Sequence, residues 1–383
     1  MSLVRLIDCI KLTGKSCKPF NGEKNYVSTG AVDINTIDDS QVEIVTYDNK
    51  PSRANVVVEE GDLLFAKMQA TNKVLIIVKD RANNIYSTGF YAIRPKNNVI
   101  SSRCLYHLIK SKDFNQKKDR ECNGATQKAL NNEGLSKIQV NLPDSSIQDK
   151  IEKELDCIDS IIESNNKQLS LLDELIKARF VELFGDENNS KGWDEVEVSD
   201  VADVSVGIVI KPAQYYTSQE DGIKTFRSLN VGEMFIKDND WVYITEIGNE
   251  KNKKSQLKEN DLLVVRSGAP GMSCVITKEY EGCNAIDVII VHPDTNKVDP
   301  YYLCAYTNYP YGKDQIEGGV GGAAQRHFNV GKYNKLKLFL PPMEEQKKFT
   351  DFLKQIDKSK FVVQQTLKET QKLFDSLMQQ YFG

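Results

Sequence analysis

The sequence predicts an α+β protein that consists of two duplicated β-rich domains and two long helices. A passage that begins at Gly124, GATQKALNNEGLSKIQVNLP, returns 198 residues later at Gly322 as GAAQRHFNVGKYNKLKLFLP. Short β-rich runs precede each copy of the passage, and a long heptad pattern follows each copy. With 383 residues, the chain is long enough for two or more domains.

The repeat extends well beyond the two quoted passages. Each copy is far longer than the unit of a solenoid, which indicates a duplicated domain and not a stacked array. Upstream the offset slips by one residue, so that GDLLFAK (61–67) pairs with NDLLVVR (260–266). The residues that match at the offset of 198 include Pro95 and Pro293, Pro143 and Pro341, Gln148 and Gln346, and Phe184-Gly185 and Phe382-Gly383.

The part of each repeat before the proline is predicted to form strands and turns. NVVVEEGDLLFAK, KVLIIV and FYAIRP in the first half, and IDVIIVHP in the second, are short β-rich runs separated by Gly, Asn and Asp. We therefore place one β-rich domain at residues 1–142 and the other at 186–340.

Residues 143–185 and 341–383 are predicted to form the two long helices. Apolar residues recur in both at alternating spacings of four and three, the pattern of a coiled-coil seam, and in the same register. We expect the helices to pack on each other, antiparallel about a pseudo-twofold axis; the alternative is that each packs on its own domain. The polar seam residues Asn165, Lys360 and Thr370 either set the register of the helix pair or lie at a frayed or partner-facing surface. The predicted packing residues are Ile151, Leu155, Ile158, Ile162, Leu169, Leu172, Ile176, Phe349, Leu353, Ile356, Val363, Leu367, Phe374 and Leu377.

Charge is divided unevenly along the chain, whose total is -4. Residues 1–142 hold 21 Lys and Arg against 15 Asp and Glu, a net charge of +6, as a phosphate-binding surface requires. Residues 186–340 hold 17 against 23, a net charge of -6, so this domain needs a local basic face to bind DNA. The two helical segments carry -5 and +1, which favours their mutual attraction.

Motifs of catalysis and metal binding are missing from the sequence. The eight cysteines show no C-x-x-C and the three histidines stand alone, so neither a zinc site nor a disulfide framework is expected. Walker A, G-x-S-x-G and H-E-x-x-H motifs are absent, and RSGAPGMS (266–273) is interpreted as a turn. Apolar runs are strand-sized and no signal peptide is recognisable, so we expect a cytoplasmic protein that does not enter a membrane.

The motifs LPDSSIQDKI and LPPMEEQKKF, GATQ and GAAQ, and VVRSGAPG together resemble the specificity subunit of type I restriction-modification enzymes. The resemblance implies two target-recognition domains, each reading one half of a bipartite site in double-stranded DNA. It also implies two modification (methylase) subunits that carry S-adenosylmethionine, and restriction subunits that use ATP and Mg. This chain itself would bind no cofactor and catalyse nothing; the helix pair would set the gap between half-sites.

Candidate DNA contacts are basic and amide side chains close to the Gly loops, because Arg, Lys, Asn and Gln read base edges and phosphates. For each lysine a solvated surface turn is the alternative, and Lys251 to Lys254 could form a hairpin tip. The candidates are Lys67, Lys73, Lys117, Lys118, Arg120, Gln127 and Lys128 in the first half, and Lys251, Lys253, Lys254, Arg266, Ser267, Gln325 and Arg326 in the second.

Two other functions remain open at this point. One is a non-catalytic scaffold whose helices and β-rich domains bind proteins and not DNA, which the acidic segment 186–340 favours. The other is a module that reads DNA and also cuts it, although no metal-binding carboxylate cluster is recognisable in the sequence.

Overall fold

The computed structural model describes residues 2–96, 99–124, 127–186, 188–319 and 328–383. The chain forms two compact units. Unit 1 comprises Met1–Lys167 with Gln364–Gly383, and unit 2 comprises Gln168–Val363. Each unit therefore contains one β-rich region and one half of each long helix.

Unit 1 has a four-stranded sheet of order β2-β10-β7-β8, a five-stranded sheet of order β3-β6-β9-β4-β5, and the pairs β1-β13 and β11-β12. Its strands are β1 (Ser2–Arg5), β2 (Ile10–Leu12), β3 (Lys15–Ser16), β4 (Lys24–Val27), β5 (Glu43–Val45), β6 (Ala54–Val57), β7 (Leu63–Ala66), β8 (Val74–Ile76), β9 (Ile85–Ser87), β10 (Phe90–Pro95), β11 (Cys122–Asn123), β12 (Ala129–Leu130) and β13 (Gln139–Leu142). Its helices are α1 (Leu6–Cys9), α2 (Ser102–Lys110), α3 (Lys112–Arg120), α4 (Asn132–Lys137) and the first part of α5 (Ser145–Phe184).

Burial on both faces explains why the central strands read as continuous apolar runs. In β7, Leu63 and Phe65 join the core cluster that includes α2 and α5, whereas Leu64 and Ala66 join a second cluster on the opposite face. Successive side chains of a strand point to opposite faces, so both sets must be apolar when both faces are covered.

Unit 2 repeats this plan with a four-stranded sheet of order β15-β22-β19-β20 and the pair β14-β23. A further four-stranded sheet has the order β16-β18-β17-β21. The strands are β14 (Asp194–Glu197), β15 (Ala202–Val206), β16 (Tyr216–Thr217), β17 (Ile223–Phe226), β18 (Val242–Ile244), β19 (Leu262–Val265), β20 (Ser273–Val275), β21 (Asn284–Ala285), β22 (Val288–Pro293) and β23 (Lys337–Leu340). The helices are α6 (Val198–Val201), α7 (Glu246–Lys251), α8 (Pro300–Asn308), α9 (Pro310–Gly319), α10 (Val330–Asn334) and α11 (Met343–Phe382), with the second part of α5.

The two long helices pack against each other in antiparallel directions within unit 2. The ring of Phe180 lies 5.3 Å from that of Phe349, measured between centroids, and Asp173 pairs with Lys360. Residue numbers thus fall along α5 as they rise along α11. In unit 1, the Tyr381 hydroxyl donates a hydrogen bond of 2.5 Å to Glu154 on α5. The predicted α+β fold of duplicated β-rich domains and paired long helices is confirmed.

The predicted seam residues of the helix pair are all buried or half-buried, and most of them share a core cluster with side chains of the β-rich region of their unit. Asn165 also lies in this seam, and its amide nitrogen is buried without a hydrogen-bond partner in the described part of the chain. The buried seam residues are Ile151, Leu155, Ile158 and Phe374 in unit 1, and Ile176, Phe349, Leu353, Ile356 and Val363 in unit 2. The half-buried ones are Ile162, Leu169, Leu172, Leu367 and Leu377.

Helices also lie where the sequence predicts strands and turns, and the longest of these among the described residues are α2 and α3 in unit 1 and α8 and α9 in unit 2. The strand-and-turn pattern of the sequence does not predict these helices. Nearly every side chain of α8 is buried, and six consecutive residues of α2, Cys104–Ile109, are buried. Because α8 is covered on almost every side, it lacks the polar face that gives a period of 3.6 residues, and its pattern resembles a buried strand.

A glutamine occupies the same structural position in both units. The Gln148 amide nitrogen donates to the carbonyls of Val99 and Pro143, each at 3.0 Å, and its oxygen accepts from the Ser101 amide at 3.2 Å. Gln346 repeats two of these bonds, with Pro341 at 2.7 Å and the Asp299 amide at 2.7 Å. Ser101 and Asp299 cap α2 and α8. This Gln joint explains why the repeat retains a glutamine after each proline.

Candidate nucleic-acid interface

Two loops that are remote in sequence form one surface in unit 1. They are the β7–β8 loop (Lys67–Lys73) and the hairpin β11–β12, and together we name them the first loop pair. The Leu130 amide donates to the Lys67 carbonyl at 2.8 Å, and the Gln69 amide donates to the Lys128 carbonyl at 3.0 Å. A β-bridge between Met68 and Ala129 lies between these bonds. Most of the candidates in the first half therefore lie on one continuous surface.

The polar side chains of the first loop pair differ in solvent exposure and in hydrogen bonding. Gln127 and Lys128 are exposed. The Lys73 ammonium donates to the Thr29 carbonyl at 2.9 Å, and the Lys67 ammonium lies 4.3 Å from the Tyr91 ring centroid. Burial lowers the pKa of Lys67 from its ordinary value. Lys67 and Lys73 are thus half-buried and held in place.

The C-terminal end of α3 packs against the first loop pair. Lys117 forms an ion pair of 2.5 Å with Asp113 on its own helix, and Arg120 is exposed. Lys118 points inward: its side chain is 1% exposed, and its ammonium donates to the carbonyls of Met68 and Thr71. An ammonium in this position cannot reach a phosphate outside the protein, so the predicted DNA contact by Lys118 is wrong.

Arg53 is a candidate that the sequence did not single out. The Arg53 carbonyl accepts a hydrogen bond from the Thr88 amide at 2.9 Å, and the next residue, Gly89, accepts from the Lys67 amide at 2.8 Å. Arg53 therefore lies beside the first loop pair. Its side chain is exposed, and none of the described residues pairs with its guanidinium. The sequence gives no signal for it, because PSRAN resembles an ordinary turn before a strand.

Unit 2 has the corresponding loop between β19 and β20, residues Arg266–Met272, which we name the second loop. The Phe328 amide donates to the Arg266 carbonyl at 3.0 Å, and this matches the bond between Leu130 and Lys67 in unit 1. The Arg266 guanidinium donates to Asp287 at 2.6 Å and to the Phe328 carbonyl at 3.3 Å. Two acceptors thus orient this guanidinium at the start of the second loop.

The remaining candidates of the second half are spread more widely. Ser267 is half-buried in the second loop. Lys251 ends α7, and Lys253 and Lys254 lie in the turn after it; all three are exposed, and Lys253 pairs with Glu250 at 2.7 Å. They lie on a helix end and not on a hairpin tip. No contact within the described residues joins them to Arg266. Gln325 and Arg326 lie outside the described residues.

Other kinds of site are not evident in the described ranges. There, the His, Cys, Asp and Glu side chains form no group that could hold a metal ion. No helix of that part combines the length and the apolar character that a membrane span requires.

Comparison with known proteins identifies relatives of one kind. The family model described as type I restriction modification DNA specificity domain matches residues 5–174 and 190–371. The MjaVIII specificity subunit of Methanocaldococcus jannaschii, a type I restriction enzyme component, is 22% identical over 331 residues, covering 80% of this chain and 75% of that protein. The HindI specificity subunit of Haemophilus influenzae is 26% identical over 170 residues, covering 44% of this chain and 37% of that protein.

Solved structures share the fold. The S subunit of a type I restriction-modification system from M. genitalium aligns with a TM-score of 0.57 at 11% identity, over 100% of this chain and 96% of that one. A chain from a type I R-M system, solved in a study of complex assembly and conformational transition, aligns with a TM-score of 0.54 at 17% identity, over 99% and 97% of the two chains.

Proposed function

Because the chain belongs to the family of type I restriction modification DNA specificity domains, and so serves DNA target recognition, we propose that each of its two units reads one half of a bipartite site. Unit 1 would read its half with the first loop pair and Arg53. Unit 2 would read the other half with the second loop and Arg266. The supporting observation is the repeated backbone bond, from Leu130 to Lys67 and from Phe328 to Arg266.

The chemistry of the two surfaces fits double-stranded DNA in different ways. Lys73, Lys128 and Arg53 supply positive charge in the more basic half of the chain, and exposed Gln127 can reach a base edge. In unit 2, Asp287 orients Arg266 at the start of the second loop, and Lys313 lines a pocket beside this loop. An oriented guanidinium can donate two parallel bonds to the O6 and N7 atoms of guanine. Unit 2 would therefore rely more on base contacts and less on phosphate contacts.

The helix pair would set the gap between the two half-sites. α5 and α11 each contain 40 residues, which corresponds to about 60 Å of helix at about 1.5 Å per residue. Half-sites on one face of B-DNA lie about 34 Å apart for each helical turn. Each unit holds half of each helix, so a change in helix length would change the gap.

We assign to this chain the role of a non-catalytic adaptor for other subunits. Two methylase subunits would bring S-adenosylmethionine, and restriction subunits would bring ATP and Mg. Large apolar side chains of the helices remain exposed in unit 2: Leu171 and Leu175 on α5, and Phe361 and Val362 on α11. Apolar side chains in such numbers on a helix surface are typical of a protein contact, and we assign them to the methylase.

The decisive experiment maps methylated adenines in cells that carry the methylase with or without this chain. We expect one split motif, present only with the chain, and a complex with the methylase that binds duplexes of this motif in preference to scrambled ones. Binding to the methylase without any preference among duplexes would support a protein scaffold instead. Cleavage of DNA by the isolated chain with Mg would contradict the adaptor role.

A further inference from the structure

Lys118 is a buried lysine whose ammonium closes a loop. Its side chain is 1% exposed, and its ammonium donates to the Met68 carbonyl at 3.2 Å and to the Thr71 carbonyl. The Asp119 carboxylate lies 3.6 Å away. Removing an ammonium from water is unfavourable unless acceptors replace the water, and here three acceptors do so. Burial lowers the pKa of Lys118, which Asp119 opposes.

The fold itself does not need a lysine at this position. The residue 198 positions later is Ile316, which is fully buried in unit 2. A Cβ added to Gly271 of the second loop would lie 2.9 Å from the Cδ1 atom of Ile316, so the loop packs directly on this side chain. An apolar residue thus fills the same place under the second loop. We therefore attribute the lysine at position 118 to the conformation of the β7–β8 loop, which its ammonium contacts.

The β7–β8 loop has an unusual backbone conformation. Ala70 has a φ of 56°, in the left-handed region that a non-glycine residue seldom adopts. The Ala70 amide donates to the Asp119 carboxylate at 3.1 Å, and the Gln69 side chain donates to the Asp119 carbonyl at 3.3 Å. The Lys118 ammonium donates to the carbonyls of Met68 and Thr71, which lie on either side of this turn. Together, Lys118 and Asp119 hold the loop in a conformation that its own sequence disfavours.

We propose that Lys118 is a positioning residue for reading the first half-site. It contacts no DNA, but it fixes the turn at Gln69 and Ala70, and through the bond from the Gln69 amide to the Lys128 carbonyl it also fixes the hairpin that carries Gln127. The inference rests on the proposed function. A positioning lysine differs from a phosphate contact in the effect of its loss. Loss of Lys118 lowers discrimination between base sequences and leaves the electrostatic part of the binding free energy intact.

The test compares Lys118→Met with Lys112→Met in the complex with methylase subunits. Met retains the length of the side chain without the charge. Lys112, on the same helix, is 73% exposed, and its ammonium pairs with Asp375 and not with an atom of the β7–β8 loop. Fluorescence anisotropy would measure affinity for the intact motif, for a motif with the first half scrambled and for one with the second half scrambled, between about 50 and 200 mM salt.

For Lys118→Met we expect about a tenfold loss of preference for the intact first half, within the range that one lost base contact produces. Preference for the second half and the slope of log affinity against log salt should stay as in the unchanged complex. Lys112→Met should match the unchanged complex throughout. A slope that becomes shallower by about 0.9 would mean that Lys118 contacts a phosphate, which contradicts the proposal. An unchanged preference for the first half would also contradict it.

Asp119→Ala provides a second variant that leaves the buried ammonium in place. It removes the acceptor of the Ala70 amide, so it should reproduce the loss of first-half preference, and retention of it would overturn the inference. Retained preference for the second half shows that unit 2 is folded, and an unchanged far-UV circular dichroism spectrum of the variant shows the same for unit 1. If the unchanged complex prefers neither half of the motif, the proposed function fails, and this outcome is distinct from a failure of the role of Lys118.

Discussion

His107 Nε2 lies 2.7 Å from Asp156 Oδ1, and this pair connects α2 to α5 within unit 1. The imidazole is fully buried, and its Nδ1 atom has no hydrogen-bond partner among the described residues. Arg103 and Lys110 of α2 flank it, and they pair with Asp156 at 2.6 Å and Asp159 at 2.9 Å. A neutral imidazole that donates from Nε2 fits this environment, because the Asp159 carboxylate lies 3.9 Å from Nδ1, too far to accept a hydrogen bond from a second proton.

We expect unit 1 to lose stability as the pH falls through the range in which free histidine titrates. Burial lowers the pKa of His107 from 6.5 and outweighs the hydrogen bond to Asp156. Between the two pKa values the unfolded chain therefore binds a proton at His107 that the folded chain does not bind. The contribution of the neutral His107 to the free energy of unfolding is fully present above about pH 6.5 and is lost on acidification. Urea unfolding at about pH 7.5 and pH 5.5 would measure this.

His107→Gln is the matched variant, because its amide can donate to Asp156 but does not titrate. Its stability should depend less on pH over that range than the stability of the unchanged chain. Asp156 contributes little there: burial opposes its ionisation, but hydrogen bonds from Arg103 and His107 lower its pKa below 3.8. Equal pH dependence in the two proteins would show that His107 does not resist protonation.

Replacement of the glutamine in the Gln joint should destabilise the chain. Gln148→Leu keeps the volume but leaves the Pro143 carbonyl and the Ser101 amide without this partner. We expect a loss of about 1 to 3 kcal/mol in the free energy of unfolding, the usual consequence of an unsatisfied buried polar group. Gln168→Leu, an exposed position on the same helix, serves as the control in urea unfolding. Equal stability of the two variants would argue against a structural role for the joint.

Arg53→Ala should make DNA binding less sensitive to salt. One lost phosphate contact reduces the slope of log affinity against log salt by about 0.9. Arg5→Ala is a suitable control, because Arg5 is exposed but pairs with Asp8 at 2.9 Å. Binding of the methylase complex to the intact motif, titrated with salt, would distinguish the two. The same slope for Arg53→Ala and the unchanged complex would remove Arg53 from the interface.

Asp287→Ala should alter recognition of the second half-site alone. Without Asp287 the Arg266 guanidinium loses its 2.6 Å acceptor and with it a defined orientation. Arg266→Lys should have a similar effect, since an ammonium cannot donate two parallel bonds to guanine. Mapping of methylated adenines would reveal a relaxed base preference in one half of the motif. Asp203→Ala, an exposed carboxylate in β15, should leave the motif unchanged, and so would Asp287→Ala if the idea is mistaken.

The repeat and the heptad pattern made the fold predictable, because both are periodic features of the sequence itself. The environment of Lys118 was not predictable in this way. It follows Lys117 in the run NQKKDR, yet successive residues on an α-helix differ by about 100° in direction, so one lysine reaches solvent and the next reaches the core. Arg53 was missed for a different reason: hydrogen bonds between separate strands bring it beside Lys67, and no local pattern records them.

The Gln joint recurs in both units with two of its hydrogen bonds, although the sheets and loops farther from it differ. Because attachment to the helices depends on this shared joint, substitutions in the loops can accumulate without endangering the framework. The architecture thus allows the target sequence to change during evolution, one half-site at a time, while the assembly of the subunit is preserved.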